Sequence, residues 1–474
     1  MKLDLFVTCV TILPVILIIS TCRINAFTID SKKVINNSYD YAEVTKLSLL
    51  FFEAQRSGKL PKDNRIPWRG DSALNDCGSN HEDLSGGYYD AADFVKFSFT
   101  MAFTTTILSW GVISWPEAYV AANQSDEILK TIKWATDYFI KCHVSKNVLY
   151  GQVGDFTSDQ MYWGRPEEMN MCRPAYKIDA EHPGSDLAGE TAAALAASSI
   201  VFKNVDLEYS IRCLKHAIEL YEFADTYRGF YLDAISNAKD FFKSEDYGDE
   251  LAWAALWLSW ASRDPKYLEY AFHHYQNFNL DKRPNEFFYN NKVAGVQVLL
   301  AQLGEQSEHQ KAARAFCDFS VQKQKRTPKG LLFINKTGTL SHAANVAFLC
   351  LEAADSKIGD LQLYRQFAKE QIDYILGSTG KSYVVGYGEN SPKQPLHAAS
   401  SCPDRPAPCG WADFDKNESN PQILYGALVS GPNENDKFHD QREEDLYTEV
   451  LINYNAGFTS ALVGLLQLQL KDEL

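Results

Sequence analysis

The chain has 474 residues, 45% of them hydrophobic, which is ample for a large core. Its formal charge of −15 repels phosphate backbones and anionic lipid, so nucleic acid and membrane surfaces are poor partners and a neutral ligand is favoured. Aromatic residues make up 13%, enough for a cleft that stacks sugars, although most of these rings must serve the core.

The first element is an apolar run from Leu5 to Ser20, behind Lys2 and interrupted by Pro14. Such a run is short for a bilayer span and right for a secretory signal peptide. Cleavage is predicted near Ala26, with an uncleaved anchor as the alternative; no later segment is long and apolar enough to cross a membrane.

Apolar residues at three-to-four spacing then predict helices over about 40–57, 94–112, 125–143, 187–202, 207–225, 249–263, 265–276, 292–304, 307–323, 341–355, 360–377 and 450–470. Strand-like alternation is scarce. Helices in one uninterrupted chain imply helix pairs closed on themselves or an open solenoid, and the lack of a visible repeat disfavours the solenoid.

Three loops between these helices carry chemistry. In the first, Gly86-Gly87-Tyr88-Tyr89 leads to Asp90 and Asp93, placed before a predicted helix start whose positive end would favour their ionised forms. Two such carboxylates can hold a water and take its proton; plain helix capping is the alternative. In the second, His397 lies in a Pro-rich loop, where it can serve structure or bind sugar hydroxyls. In the third, Glu449 precedes Val450-Leu451-Ile452, surroundings in which a carboxyl keeps its proton as a general acid must. An exposed first-turn glutamate is the alternative.

Four N-x-S/T sequons, at Asn36, Asn123, Asn335 and Asn417, agree with a lumenal location. Eight cysteines remain beyond the signal segment; Cys402 and Cys409 bracket three prolines and are the best candidates for a local disulfide, while Cys350 reads as a free core thiol. The chain closes on Lys471-Asp472-Glu473-Leu474, a retrieval address for the endoplasmic reticulum, with passage to the outside as the alternative.

These loops, in this order, resemble glycoside hydrolase family 9, in particular the animal endo-β-1,4-glucanases of termites, crayfish and molluscs. The likeness runs from about Tyr41 to Leu466. It includes Phe52-Glu53-Ala54-Gln55-Arg56-Ser57-Gly58, Trp68 to Ala73, Pro183 to Ala192 and Tyr454 to Phe458. The resemblance implies an all-α fold, an (α/α)6 barrel, over residues 27–470, with a cleft across one end and hydrolysis by inversion. It makes Asp93 the catalytic base, Asp90 its partner on the water, Glu449 the general acid, and Asp440 and Arg442 a supporting Asp-x-Arg element. It assigns Tyr162, Trp163, His397, Arg442 and Tyr454 to substrate binding. Inversion needs one protonated and one ionised carboxyl roughly 6.5–9.5 Å apart. The resemblance requires no cofactor; it allows calcium near Asp249 and Glu250, weakened because Asn290 stands where the family carries an acid. The implied partner is a β-1,4-glucan or related neutral polysaccharide, handled by a monomer.

Several sugar-holding positions depart from the family pattern. Leu396 and Ala398 replace a His and an Arg beside His397, Thr337 and Ser341 replace a Trp and an Arg, and Gln160 replaces a His. Each lost ring or charged contact costs about 1–3 kcal/mol of binding. Two readings follow: a glucanase with altered or reduced substrate binding, or an inactive lumenal β-glucan-binding protein.

Overall fold

The long helices divide into two kinds by their apolar patterns. The computed structural model describes residues 39–239, 241–304 and 307–474. Among these, twelve long helices are α1 (Tyr41–Ala54), α2 (Ser98–Ser114), α3 (Ser125–Cys142), α4 (Ser185–Phe202), α5 (Leu207–Thr226), α6 (Gly248–Ser262), α7 (Pro265–Asn277), α8 (Val293–Leu303), α9 (Ser307–Gln322), α10 (Thr339–Asp355), α11 (Leu361–Leu376) and α12 (Ile452–Leu470). Helices α2, α4, α6, α10 and α12 are buried on nearly every face, so their sequences are apolar all round. Helices α3, α5, α7 and α11 carry a single buried stripe and a polar outer face.

Packing follows from that division. The even-numbered helices form an inner ring in which α2 packs on α4, α4 on α6, α6 on α8, α8 on α10, α10 on α12, and α12 returns to α2. The odd-numbered helices lie outside, with α5 on α4, α7 on α6, α9 on α8, α11 on α10 and α1 on α12. This is the closed six-hairpin barrel, formed by residues Asp40–Leu474 as one compact unit. No helix among the described residues is long and apolar enough to cross a membrane.

Connectivity gathers the site. Each inner helix before α12 is left by a short link to the next outer helix, such as 203–206 or 263–264, and the ring is entered through longer segments, such as 55–97, 143–184 or 377–451. Alternating links of this kind bring the long segments together at the end where the inner helices begin. The first of them turns at Gly86 and Gly87, both with positive φ (+96° and +73°), and a Cβ on Gly87 would come within 2.7 Å of the Tyr138 ring.

Three local expectations change. A small antiparallel sheet joins β1 (Lys96–Phe97), β2 (His143–Ser145), β3 (Val148–Val153) and β4 (Ala175–Ile178), with β3 paired to the other three. Its strands are too short for alternation to reveal. The helix predicted from 94 begins at Ser98, because Lys96 and Phe97 pair with β3 first. The helix predicted from 450 begins at Ile452, which leaves Glu449 in extended backbone bridged to Leu396.

Cys402 and Cys409 form the expected disulfide, and Cys350 is buried and free. Lys471–Leu474 is exposed, with the Glu473 carboxylate 2.8 Å from Arg365. The signal segment and Asn36 lie outside the described residues.

Candidate active site

The first and last long loops are tied together by main chain. The Asp90 N–H donates to the Val95 carbonyl at 3.1 Å, and the Asp90 carbonyl accepts from Ile452 N–H at 2.9 Å. That second bond joins the Asp90–Asp93 loop to the first turn of α12. Glu449 lies just before this turn, with its carbonyl accepting from Ser430 N–H at 2.8 Å. The Tyr454 hydroxyl, on the same helix turn, reaches Glu449 Oε2 at 3.5 Å. Asp90 is fully buried, whereas Asp93 and Glu449 stay partly open to solvent.

Burial and mutual repulsion set the protonation of this cluster. Burial pushes the Asp90 carboxyl up to about 7, against a hydrogen bond from the Thr100 hydroxyl and with help from the Glu449 charge. Burial, then the charges of Asp90 and Glu449, push Asp93 up to about 7. Burial, then Asp445, pushes Glu449 up to about 7. No ion pair among the described residues neutralises these three. The ionising influence of a helix start, expected at Asp90 and Asp93, is therefore outweighed: α2 begins further on, and desolvation beside like charges favours the protonated forms. Asp90 Oδ2 and Asp93 Oδ1 are each buried without a protein hydrogen bond. The set can thus hold a proton on one carboxyl and accept one on another near neutral pH.

The remaining sequence-derived residues separate into those at the cluster and those behind it. Tyr454 is buried at the cluster, in the wall of a pocket of about 320 Å³ that also includes Glu449, Tyr289, Phe288, Asn335 and Thr337. Tyr162 packs its ring against Phe94 and donates its hydroxyl to the Arg165 carbonyl at 2.8 Å. Trp163 is half-buried, donates its indole N–H to Ser401 Oγ at 2.9 Å, and packs at 5.6 Å, tilted by 37°, against the exposed Trp411.

Asp440, grouped with the catalytic carboxyls as a supporting acid, accepts from the N–H groups of Lys393 (2.8 Å) and Gln394 (3.1 Å), anchoring the loop beside Glu449. Arg442, expected to bind substrate, directs its guanidinium to Asn420 Oδ1 and to the carbonyls of Asp413, Phe414, Lys416 and Glu418. Five carbonyl-type acceptors on one loop exhaust its donors, so it clamps that loop. His397, expected to bind sugar, is 2% exposed and has both ring nitrogens engaged, with Gln55 Oε1 at 2.8 Å and Ser400 N–H at 3.1 Å. Burial, then the Arg69 charge, lowers its pKa to about 3, so it is neutral.

Three residues of the site escaped the sequence reading, and a fourth, Gln160, was read only as the loss of a sugar contact. Gln160, which stands in for a family histidine, donates to Asp93 Oδ2 at 3.1 Å. Asp159 accepts from Phe94 N–H at 3.1 Å, and burial, then Asp93, pushes it up to about 8. Gln55 donates to the Ala91 carbonyl at 2.7 Å and so braces the Asp90–Asp93 turn. Trp411 extends the Trp163 ring surface. Of these, only Asp159, an acid beside an aromatic pair, carried a readable signal.

A second acidic cluster lies at the start of α6. The Lys292 ammonium, itself fully buried, is 2.6 Å from Glu250 and 3.2 Å from Glu190, while Asp249 accepts from the Lys292 N–H at 2.6 Å. Burial opposes this ammonium, but Glu190 and Glu250 override it and hold its pKa above the ordinary lysine value. One ammonium faces three carboxyls, and burial, then Asp249, pushes Glu250 well up. Asp249 Oδ1 and Asn290 Oδ1 remain buried without hydrogen bonds. The residues that would hold a calcium ion are Asp249, whose Oδ1 has no hydrogen bond, and Glu250, beside the Lys292 ammonium that already faces Glu190 and Glu250.

Carboxyls held near half-protonation at the mouth of a closed ring of helix hairpins define an acid–base hydrolase of the glycosidase class. The comparisons with known proteins carry the assignment further. The model for glycosyl hydrolase family 9 matches residues 41–462, and the chain belongs to that family. A solved endoglucanase from the termite Nasutitermes takasagoensis is 52% identical, with a TM-score of 0.90, covering 91% of this chain and 100% of that one. The cellulase Cel9M of C. cellulolyticum, solved with cellobiose, is 33% identical with a TM-score of 0.85, covering 92% of this chain and 100% of that one. Endoglucanase 15 of Arabidopsis thaliana is 42% identical over 473 residues, which is 92% of this chain and 95% of that protein. The family is that of the resemblance, and its glucanases do not favour the inactive binding-protein reading.

Proposed function

We propose that the protein is an endo-β-1,4-glucanase that hydrolyses internal bonds of a neutral glucan with inversion. The observation that carries this is the joining of Asp90, Asp93 and Glu449, from opposite ends of the chain, into one buried set with no neutralising cation. Glu449, in apolar surroundings, keeps a proton and gives it to the leaving glycosidic oxygen. Asp93, ionised and partly open, takes a proton from a water that the free oxygens of Asp90 and Asp93 orient. The water adds to the anomeric carbon as the C–O bond to the leaving sugar breaks. Tyr454 fixes the Glu449 carboxyl, and Asp440, Arg442 and His397 hold the loops from behind. Trp163 and Trp411 offer a ring surface for the sugar chain. The substitutions at Leu396, Ala398, Thr337 and Ser341 remove sugar contacts, so binding is weaker than in the family pattern.

The test is the anomer formed first. Purified protein acting on cellotetraose, followed by proton NMR, releases α-anomer before mutarotation; β-anomer first refutes inversion, and the absence of cleavage refutes the activity. Calcium belongs to the same proposal as a structural ion at Asp249 and Glu250, stabilising the start of α6. Its test is thermal unfolding with chelator and with added calcium, where an unchanged midpoint rejects it. The exposed Lys471–Leu474 end, with the apolar Leu5–Ser20 run, supports residence in the endoplasmic reticulum. Deleting those four residues should divert the protein to the medium, and an unaltered distribution rejects retrieval.

A further inference from the structure

We infer that Asn335 is a glycosylation site whose glycan shields the catalytic pocket and competes with substrate for it. This rests on the secretory and glucanase readings above. Asn335-Lys336-Thr337 is a sequon, and both its Asn335 and Thr337 line the roughly 320 Å³ pocket that contains Glu449 and Tyr454. Asn335 is exposed, as the glycan-transferring enzyme requires, and its Oδ1 accepts from the Thr337 N–H at 3.4 Å.

The sequon is not on a loose tip. Gly338, next in sequence, donates its N–H to Ser430 Oγ at 2.8 Å, and the Ser430 N–H donates to the Glu449 carbonyl at 2.8 Å. Gly338 has φ +62°, and a Cβ there would come within 2.8 Å of the Tyr454 ring. The segment is therefore pinned against the acid and its tyrosine, and a glycan leaving Asn335 starts at the pocket rim.

The remaining wall suits sugar. Phe288 and Tyr289 supply aromatic faces, and the N-glycan core begins with two β-1,4-linked pyranose rings, the linkage of the glucan itself. A tethered sugar at the rim acts at an effective concentration on the order of millimolar, against which a free oligosaccharide must compete.

The protein is made in a secretory eukaryotic host, and occupancy at Asn123, Asn335 and Asn417 is read by mass spectrometry. Cellotetraose hydrolysis is then compared for the glycosylated protein, its endoglycosidase H-trimmed form, Asn335→Gln, Asn123→Gln and the unglycosylated protein from bacteria. The result expected is an occupied Asn335 and a KM about tenfold lower in Asn335→Gln and in the bacterial protein, with kcat little changed and Asn123→Gln without effect. An unmodified Asn335 on a chain glycosylated at Asn123 overturns the inference, as does an equal KM. Absence of glycan at every sequon overturns it together with the secretory location, leaving the hydrolase untouched. Should no form hydrolyse cellotetraose, the glucanase reading fails alone; calorimetric affinity for cellotetraose then decides, tenfold tighter binding by Asn335→Gln supporting the shield and equal affinity rejecting it.

Discussion

The barrel gathers carboxyls in two places and gives only one of them a cation. At the start of α6, Glu190 and Glu250 close on the buried ammonium of Lys292, a cation supplied by the chain itself. At the mouth of the ring, Asp90, Asp93 and Glu449 are gathered with no cation, and each is pushed up to about 7. Glu190, Glu250 and Lys292 are fully buried, whereas Asp93 and Glu449 stay partly open to solvent. Burial pushes Glu190 and Glu250 up as well, but they share one ammonium, whereas the three carboxyls at the mouth share none.

The largest effect that would sharpen this contrast is catalytic. Glu449→Gln should lower kcat on soluble β-1,4-glucan by about 10²–10⁴-fold, measured as reducing ends, because it removes the transferable proton while keeping size. In the unaltered protein, activity should fall below about 7 as Asp93 gains a proton and above about 7 as Glu449 loses one. A profile flat across that range would break the assignment.

Next in size is Lys292→Met, which leaves Glu190 and Glu250 buried without their cation. A stability loss of about 3–5 kcal/mol is expected in denaturant titration at neutral pH. An unaffected midpoint would mean that the carboxyls are protonated and the ammonium is dispensable.

The opposite sign is expected at the mouth. A carboxyl whose pKa is raised on folding stabilises fully below its unfolded value, near 4, and that stabilisation is lost as pH rises through about 7. Asp90→Asn should therefore gain about 1–2 kcal/mol at pH 8 and nothing at pH 4, while activity collapses. Loss of stability at pH 8 would contradict the uncompensated charge.

The smallest effect concerns support. Asp440→Ala frees the N–H groups of Lys393 and Gln394, costing about 1–2 kcal/mol and loosening the loop beside Glu449. KM should rise several-fold with the pH profile unmoved. A shifted alkaline limb would instead place Asp440 in the proton chemistry.

Legibility in the sequence followed the range of the interaction. The helices were readable because three-to-four spacing is local, and their starts and ends moved by only a few residues, as at Ser98 and Ile452. The sheet was not readable, since a two-residue strand such as Lys96–Phe97 exists only through its partner β3. Asp90, Asp93 and Glu449 were singled out by their motifs, whereas Arg442 and His397 were left between a supporting and a sugar-binding role. Both are polar residues in a site loop, and only their partners show that their hydrogen bonds are already spent on protein.

What the sequence by itself determined is the set of helices and the family, because apolar periodicity and contiguous motifs are written within short windows of chain. Which carboxyls keep a labile proton was decided only by the closed ring. Ring closure sets Asp93 beside Glu449 without a cation and sets Glu190 and Glu250 beside Lys292, and the energy of a buried charge depends on such neighbours rather than on the residue that carries it.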